Sequence, residues 1–587
     1  MKTLIPWFLL GLLLALPAEA KPIQLYVAPD GHDAWNGMAA AHRGADGPFQ
    51  TLERARDEIR TLKKMDQPPT GFTVFVRGGT YWLPSTLVLE KQDSGTPGAP
   101  VVYRAYGKEK PVIIGGKPIT GFQPYRGKIM QAGVGAQGFK GVPFHQLFMN
   151  GQRQILARYP NYDPSNPYGG GWAYVAGKPI PMYQDVPGED RHTLHFKPED
   201  VHPWAHPEEA EVFIFPRYNW WNNVIQIASI QKDASAMTLA GDASYPIRPG
   251  DRYYVQNLLE ELDSPGEWYL DQRTWTLYFW PPADLNGATV YAPTLQTLVK
   301  IGPGASNITL QGLTLECSDW DGVEIHDSSN CLFAGNTLRN VGSKAVWGES
   351  AVDVQDGSHN GIVGNDIYSV GGNAISLTGG DRATLTPAEN YADNNYIHHT
   401  GVFFKQGVGV SIGGVGNRVS HNLIHDCPRF AIQFSGSDHI IEYNHARHLN
   451  LETADTGAIY SWQVDWTLRG TVIRYNFLHD VLGYSQENGR WISPAFAWGI
   501  YLDDGTCGTT VYGNIVARAA NGGAHIHGGR DNLIENNIFI DGTSRQMSLN
   551  GYIPQEPHVK EMIDKLTGFK DNPAYAKYPG LRDLDIT

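Results

Sequence analysis

The chain has 587 residues, a formal net charge of −14 and 66 glycines, with 16 Trp and 29 Tyr. That length leaves room for two domains, and the negative balance argues against nucleic acid and mildly against a strongly polyanionic ligand. The composition suits a β-rich protein that handles sugars.

Residues 1–20 read as a secretion signal: Lys2 supplies charge, Leu4 to Leu16 the apolar run, and Ala18-Glu-Ala20 the cleavage site. The run is too short to span a bilayer and no later segment qualifies, so a secreted or periplasmic protein without a membrane span is expected. Cys317, Cys331, Cys427 and Cys507 lack metal-like spacing and read as structural thiols.

Residues 21–116 open with a strand at Leu25 to Gly31. A helical stripe follows, Leu52, Ala55, Ile59 and Leu62, of the kind that caps the open end of a solenoid. Short strands near 72–76, 86–89, 101–103 and 111–114 resemble its first coils. Residues 117–297 follow different rules. Asn150-Gly151 between two strand patterns is a hairpin signal, and Glu267 to Trp280 reads as a second hairpin. This predicts an inserted antiparallel sandwich or barrel.

From 298 to 545 the coils resume. Eight runs begin with a small residue and alternate apolar with outward positions, among them Gly409-Val-Ser-Ile-Gly413, Ala431-Ile-Gln-Phe-Ser435, Ala458-Ile-Tyr-Ser-Trp462 and Gly499-Ile-Tyr-Leu-Asp503. Between them Asn336, Asn365, Asn395, Asn422, Asn444, Asn476, Asn514 and Asn537 recur, the closest about 22 residues apart, one coil of a β-helix. Asparagines stacked about 4.8 Å apart would bond to neighbouring backbone and tolerate left-handed geometry. The fold predicted is all-β: a right-handed parallel β-helix with an inserted antiparallel module and an N-terminal capping helix. Residues 546–587 read as a surface tail with one short helix.

The outward column is bland through Ser376, Ser411 and Gln433. It then turns aromatic and ionisable at Tyr460, Tyr501 and His525, with Trp462, Asp503 and His527 in the next column. Carboxylates gather there: Glu452 and Asp455, Asp465, and the pair Asp503 and Asp504. Paired carboxyls with pKa values pushed apart suit glycosidic cleavage. Aligning Ala458 with Gly499 sets Trp462 beside Asp503. On a straight strand Asp455 would then lie about 23 Å from Trp462, so register favours Asp465 as the partner of Asp503 or Asp504; Asp455 stays a catalytic candidate, since the loop before it can fold over and its motif is specific. Tyr460, Trp462, Trp466, Tyr501, His525, His527, Arg530 and Glu452 are the expected sugar-binding residues. The dense histidines at 398, 399, 425, 448 and 479 read as hydrogen-bonded turn residues rather than metal ligands. No cofactor is expected, with Ca²⁺ at Asp503-Asp504 the one cation left open.

The opening Tyr26-Val-Ala-Pro-Asp-Gly31, Pro48-Phe-Gln-Thr-Leu52, Ala157-Arg-Tyr-Pro-Asn161, Asp455-Thr-Gly-Ala-Ile-Tyr460 and Gly499-Ile-Tyr-Leu-Asp-Asp504 resemble secreted β-helix carbohydrate enzymes. The resemblance is to glycoside hydrolase family 141, and more distantly to family 120, over most of the mature chain. It implies hydrolysis of xylan-type or fucose-containing plant glycans by acidic residues. Two alternatives are a polysaccharide lyase using His525, His527 or Arg530 as base on a uronate, and a non-catalytic glycan-binding solenoid.

Overall fold

The computed structural model describes residues 22–582 apart from 45, 68, 70, 488, 553–556, 570 and 571. The secretion-signal segment lies outside the described residues. Three long parallel sheets, of 12, 11 and 11 strands, wind around one apolar interior. Each coil contributes a short strand to each sheet, so the side chains that alternate inward stack on their counterparts one coil away. Ile432 pairs with Ile459 and Ile459 with Ile500, all three fully buried. The architecture is a right-handed parallel β-helix.

The asparagine ladder holds one corner. The backbone N–H of Asn422 donates to Asn444 Oδ1 at 3.0 Å, and that of Asn444 to Asn476 Oδ1 at 3.0 Å. Each side-chain amide also reaches back to a carbonyl of the preceding coil, as Asn444 Nδ2 does to Val419 O at 3.0 Å. The left-handed residue is the one before each asparagine, as at Tyr443 and Tyr475, and not the asparagine itself. A second, shorter ladder through Asn360, Asn390 and Asn417 ends on His439.

The helix Leu52–Leu62 closes the first coil. Thr51 caps it by accepting from Arg54 N at 3.1 Å, and Leu52, Ala55 and Ile59 are buried against the core. Residues 116–293 then leave the solenoid and return without disturbing it, for strand Val101–Ala105 pairs directly with Ile308–Gln311. Within that stretch lie four-, five- and seven-stranded sheets with their own apolar cores. All their pairings are antiparallel except that of Ile155–Leu156 with Glu267–Asp271. Phe148–Met149 and Gln152–Arg153 pair around Asn150-Gly151.

At the other end the coils run further than 545. Strand Met547–Asn550 pairs with Gly522–His527. It lacks the small-residue start of the earlier strands, and at the last coil its Met547 and Leu549 are exposed. The described part of the segment after it includes the expected helix and is anchored on the coils. Helix Pro557–Phe569 buries Met562 and Leu566, which pack with Val464, Trp466 and Cys507. All four cysteines are free and buried. Among the described residues no helix is long and apolar enough to cross a membrane.

Candidate active site

Strands Thr456–Trp462, Ala497–Asp503 and Gly522–His527 are neighbours in one sheet. The register puts Tyr460 beside Tyr501, Tyr501 beside His525, and Trp462 beside Asp503. These outward side chains are not solvated: Tyr460, Tyr501 and His525 are all buried. Phe430 stacks face to face on Tyr460 at 4.2 Å, Tyr501 meets Tyr460 edge-on, and Trp498 stacks on His525.

Asp503 ends its strand at the centre of this patch. Tyr460 Oη donates to its Oδ2 at 2.8 Å, and His527 Nδ1 lies 2.8 Å from its Oδ1. That contact raises the His527 imidazole above its ordinary value, so the ring carries a proton toward the carboxylate. Asp504, at φ +38°, points along a different line. Trp462 Nε1 donates to its Oδ2 at 2.5 Å, and Tyr552 donates its hydroxyl to Oδ1. Ligand atoms of Asp503, Asp504 and His527 fall within 4.8 Å of one another, close enough to share a cation. Asp503 already uses one oxygen on Tyr460 and the other on His527 and its neighbour's N–H.

Asp455 joins this group, against the straight-strand arithmetic. Its Oδ1 accepts from Tyr501 Oη at 3.1 Å. The reason is a corner in the strand. The ladder sets Gly457 opposite Trp498 and then skips Ala458. A Cβ at Gly457 would lie only 3.0 Å from Tyr501 Cβ, although the two residues would be about 10 Å apart along a straight strand. Asp455, at φ +50° just before the corner, is therefore folded over the outward face. Burial, and next the charge of Asp503, push its carboxyl up to about 7, while Arg429 and the Tyr501 hydroxyl oppose the rise. Arg429 is buried and donates to the carbonyls of Ala454 and Asp455, both at 3.2 Å.

Asp465 is turned to another task. Its carboxylate binds Arg382 Nη2 at 2.5 Å and accepts from Thr467 N and Oγ1 at 2.9 and 2.6 Å. Register along one strand cannot foresee Arg382, which arrives from a loop 83 residues earlier. Trp466 packs in the C-terminal apolar cluster with Arg530 over its ring at 5.4 Å, so neither joins the Asp503 group. Glu452 pairs with Lys405 at 2.7 Å. The histidine column is hydrogen-bonded, as His425 and His448 to Asp426 at 2.6 and 2.9 Å.

Sequence reasoning missed what the inserted module brings. Asn219, buried and at φ +56°, donates to the carbonyls of Glu452 and Tyr484 at 3.2 and 2.6 Å and accepts from Arg252 Nε at 3.0 Å. Arg252 also donates to Glu452 O. Ala454 N donates to Asn219 O at 3.3 Å, so the module grips the loop that ends in Asp455. No local pattern marks these residues. The one usable signal is Arg429 in Pro428-Arg-Phe430, a cation just before a small-residue strand.

Comparison with known proteins bears on the fold. Residues 321–552 match the family model for a right-handed beta helix region. A solved structure named a glycoside hydrolase superposes with a TM-score of 0.64 at 17% identity, covering 92% of this chain and 98% of that one. At that identity the likeness is one of fold. XylC in complex with xylose aligns at a TM-score of 0.41 and 14% identity over 86% of this chain and 75% of its own. In sequence, 97 residues are 38% identical to a pectate lyase of Emericella nidulans, over 16% of this chain. The matched stretch spans only 19% of that relative's length.

Proposed function

We propose that the protein is a glycoside hydrolase in which Asp455 is the general acid and Asp503 the nucleophile or base. The observation that carries the reading is the pair itself: a carboxyl held near pH 7 by burial beside a second carboxylate that accepts from Tyr460 and His527. Such a split suits glycosidic cleavage, where one group must arrive protonated and the other ionised. Asp455 gives its proton to the glycosidic oxygen as the C–O bond breaks. Asp503 then either bonds to the anomeric carbon, with water later releasing the sugar, or takes a proton from the attacking water. The exposed Trp462 offers a face for a sugar ring, and His525 Nδ1, buried without a partner among the described residues, can meet a hydroxyl.

The resemblance to families 141 and 120 supports plant-type glycans as substrates, xylan-type or fucose-containing, while the glycoside hydrolase of similar fold supports no more than glycosidic hydrolysis. Asp504, fixed by Trp462 and Tyr552, orients the platform rather than reacting. The test is a panel of such glycans with product analysis. Asp455→Asn and Asp503→Asn should each lower turnover at least about 1000-fold with the fold kept, and Asp465→Asn should not. Near-native turnover in both would overturn the assignment. The likeness to a pectate lyase favours a second reading, eliminative cleavage of a uronate glycan. Its product would gain ultraviolet absorbance; a hydrolytic product would not.

A further inference from the structure

A cavity of about 550 Å³ lies between the inserted module and the loops that enter the site sheet, and none of Asp455, Asp503, Asp504 or His527 lines it. Its volume is within the range that holds small ligands. One wall, from the module, is aromatic: Tyr162, Tyr168, Trp172 and Tyr254. The other, from the β-helix, carries fixed polar groups. Asp426 is held below the ordinary carboxylate range by hydrogen bonds from His425 and His448 that outweigh its burial, and Lys405 and Glu452 form a close pair. Aromatic faces opposite preset donors and acceptors are what a saccharide needs, with rings for its C–H faces and polar groups for its hydroxyls.

Two cations give the cavity a sharper preference. Arg158 is only 8% exposed. It donates through Nε to Pro160 O at 2.9 Å and through Nη2 to Gly171 O, and its guanidinium sits 3.5 Å from the centre of the Tyr254 ring. Arg153 donates to Gln146 Oε1 and to Ser369 O at 2.7 Å. Among the described residues neither guanidinium has a carboxylate within salt-bridge distance, and burial lowers both from the ordinary arginine value, Arg153 to about 10. Carbonyls and rings solvate these charges without neutralising them, and a buried cation gains most from a counter-ion.

We propose that this cavity binds a saccharide unit bearing a carboxylate, a uronate, whose acid group faces Arg158 and Arg153 while its ring lies on the aromatic wall. The net charge of the chain repels polyanions at long range, so selection here is by local contact. The proposal stands apart from the hydrolase reading and holds whatever the Asp455–Asp503 pair does.

The test is calorimetric titration of the full-length protein, as the parent and as Asp503→Asn, with a galacturonic acid disaccharide and with its methyl diester, which lacks the charge and adds one methyl group at each carboxyl. The acid should bind one per chain and the ester roughly tenfold or more weakly, the difference one charge-assisted hydrogen bond carries. Adding Arg158→Met should shrink that difference to the part that Arg153 sustains. Tyr162→Ala, at a part-exposed position that leaves the fold intact, should weaken both ligands. Failure of the acid to bind, equal binding of acid and ester, or binding unchanged by Tyr162→Ala would each overturn the proposal, so it stays testable even if Arg158→Met does not fold.

Discussion

Tyr501 donates its hydroxyl to Asp455 at 3.1 Å, and its register neighbour Tyr460 donates to Asp503 at 2.8 Å. Two adjacent rungs of one sheet thus hold two carboxyls that come from opposite ends of their strands. Because the rings meet edge-on at 5.4 Å, neither can swing without displacing the other.

Replacing Tyr501 by Phe should therefore act on Asp455 with little change in packing. The lost donor is one of the influences that hold the Asp455 carboxyl down, so its pKa rises further. The alkaline limb of the pH–rate profile should move to higher pH, and the maximal rate should fall roughly 10–100-fold as Asp455 loses its orientation. A profile that keeps its limb while the rate falls would show that Tyr501 serves only packing.

The raised carboxyl also predicts a dependence of stability on pH. Asp455 has a folded value of about 7 against an ordinary value of 3.8, so the folded state holds the proton more tightly. Its contribution is fully present below about pH 4 and is lost as pH rises through 7. Asp455→Asn should thus be more stable than the parent at pH 8, by about 1–2 kcal/mol after allowance for solvent screening, and nearly equal to it at pH 4. Denaturant midpoints of the two proteins at the two pH values measure this. An equal gap at both would show that Asp455 does not titrate in that window.

Asn219 offers a test of the grip on the loop that ends in Asp455. Asn219→Gly keeps the left-handed backbone and deletes the bonds to Glu452 O and Tyr484 O. We expect kcat to fall roughly tenfold or more with KM changed little, since the side chain does not touch the carboxyl it positions. A change in KM alone would mean that the module only binds substrate.

The ladder makes a prediction about stability alone. Asn444→Ala removes four side-chain bonds at a position 1% exposed and leaves Asn422 N without the acceptor it has in the ladder. A loss of about 2–4 kcal/mol in a urea titration is expected, with activity per folded molecule unchanged. A shift under about 0.5 kcal/mol would mean that the ladder only decorates the turn.

The frame was legible because every coil repeats it. Small residue and alternation mark the strands, and the Asn spacing marks the corner. The outward column from Glu324 to His525 lines up rung by rung in the register. The placement of the outward side chains was legible where they lie on strands, at Tyr460, Trp462, Tyr501, Asp503 and His527. It was not legible where the chain departs from a straight strand or a partner comes from afar. Asp455 was set too distant because nothing in Thr456-Gly-Ala458 announces a corner. Asp465 looked well placed because Arg382 belongs to another coil. Asn219 and Arg252 belong to another module, and no periodicity reaches across that seam.

Successive ladder asparagines are separated in sequence by as few as 22 and as many as 38 residues, yet each bond is 2.9–3.0 Å long. The rungs are thus indifferent to how much chain hangs between them. Residues can be gained or lost at the rim of a coil, even a module as large as residues 116–293, while the sheets keep their phase. Such a scaffold lets natural variation rewrite the loops that surround the outward face, with Asp503 held on a strand that never has to move.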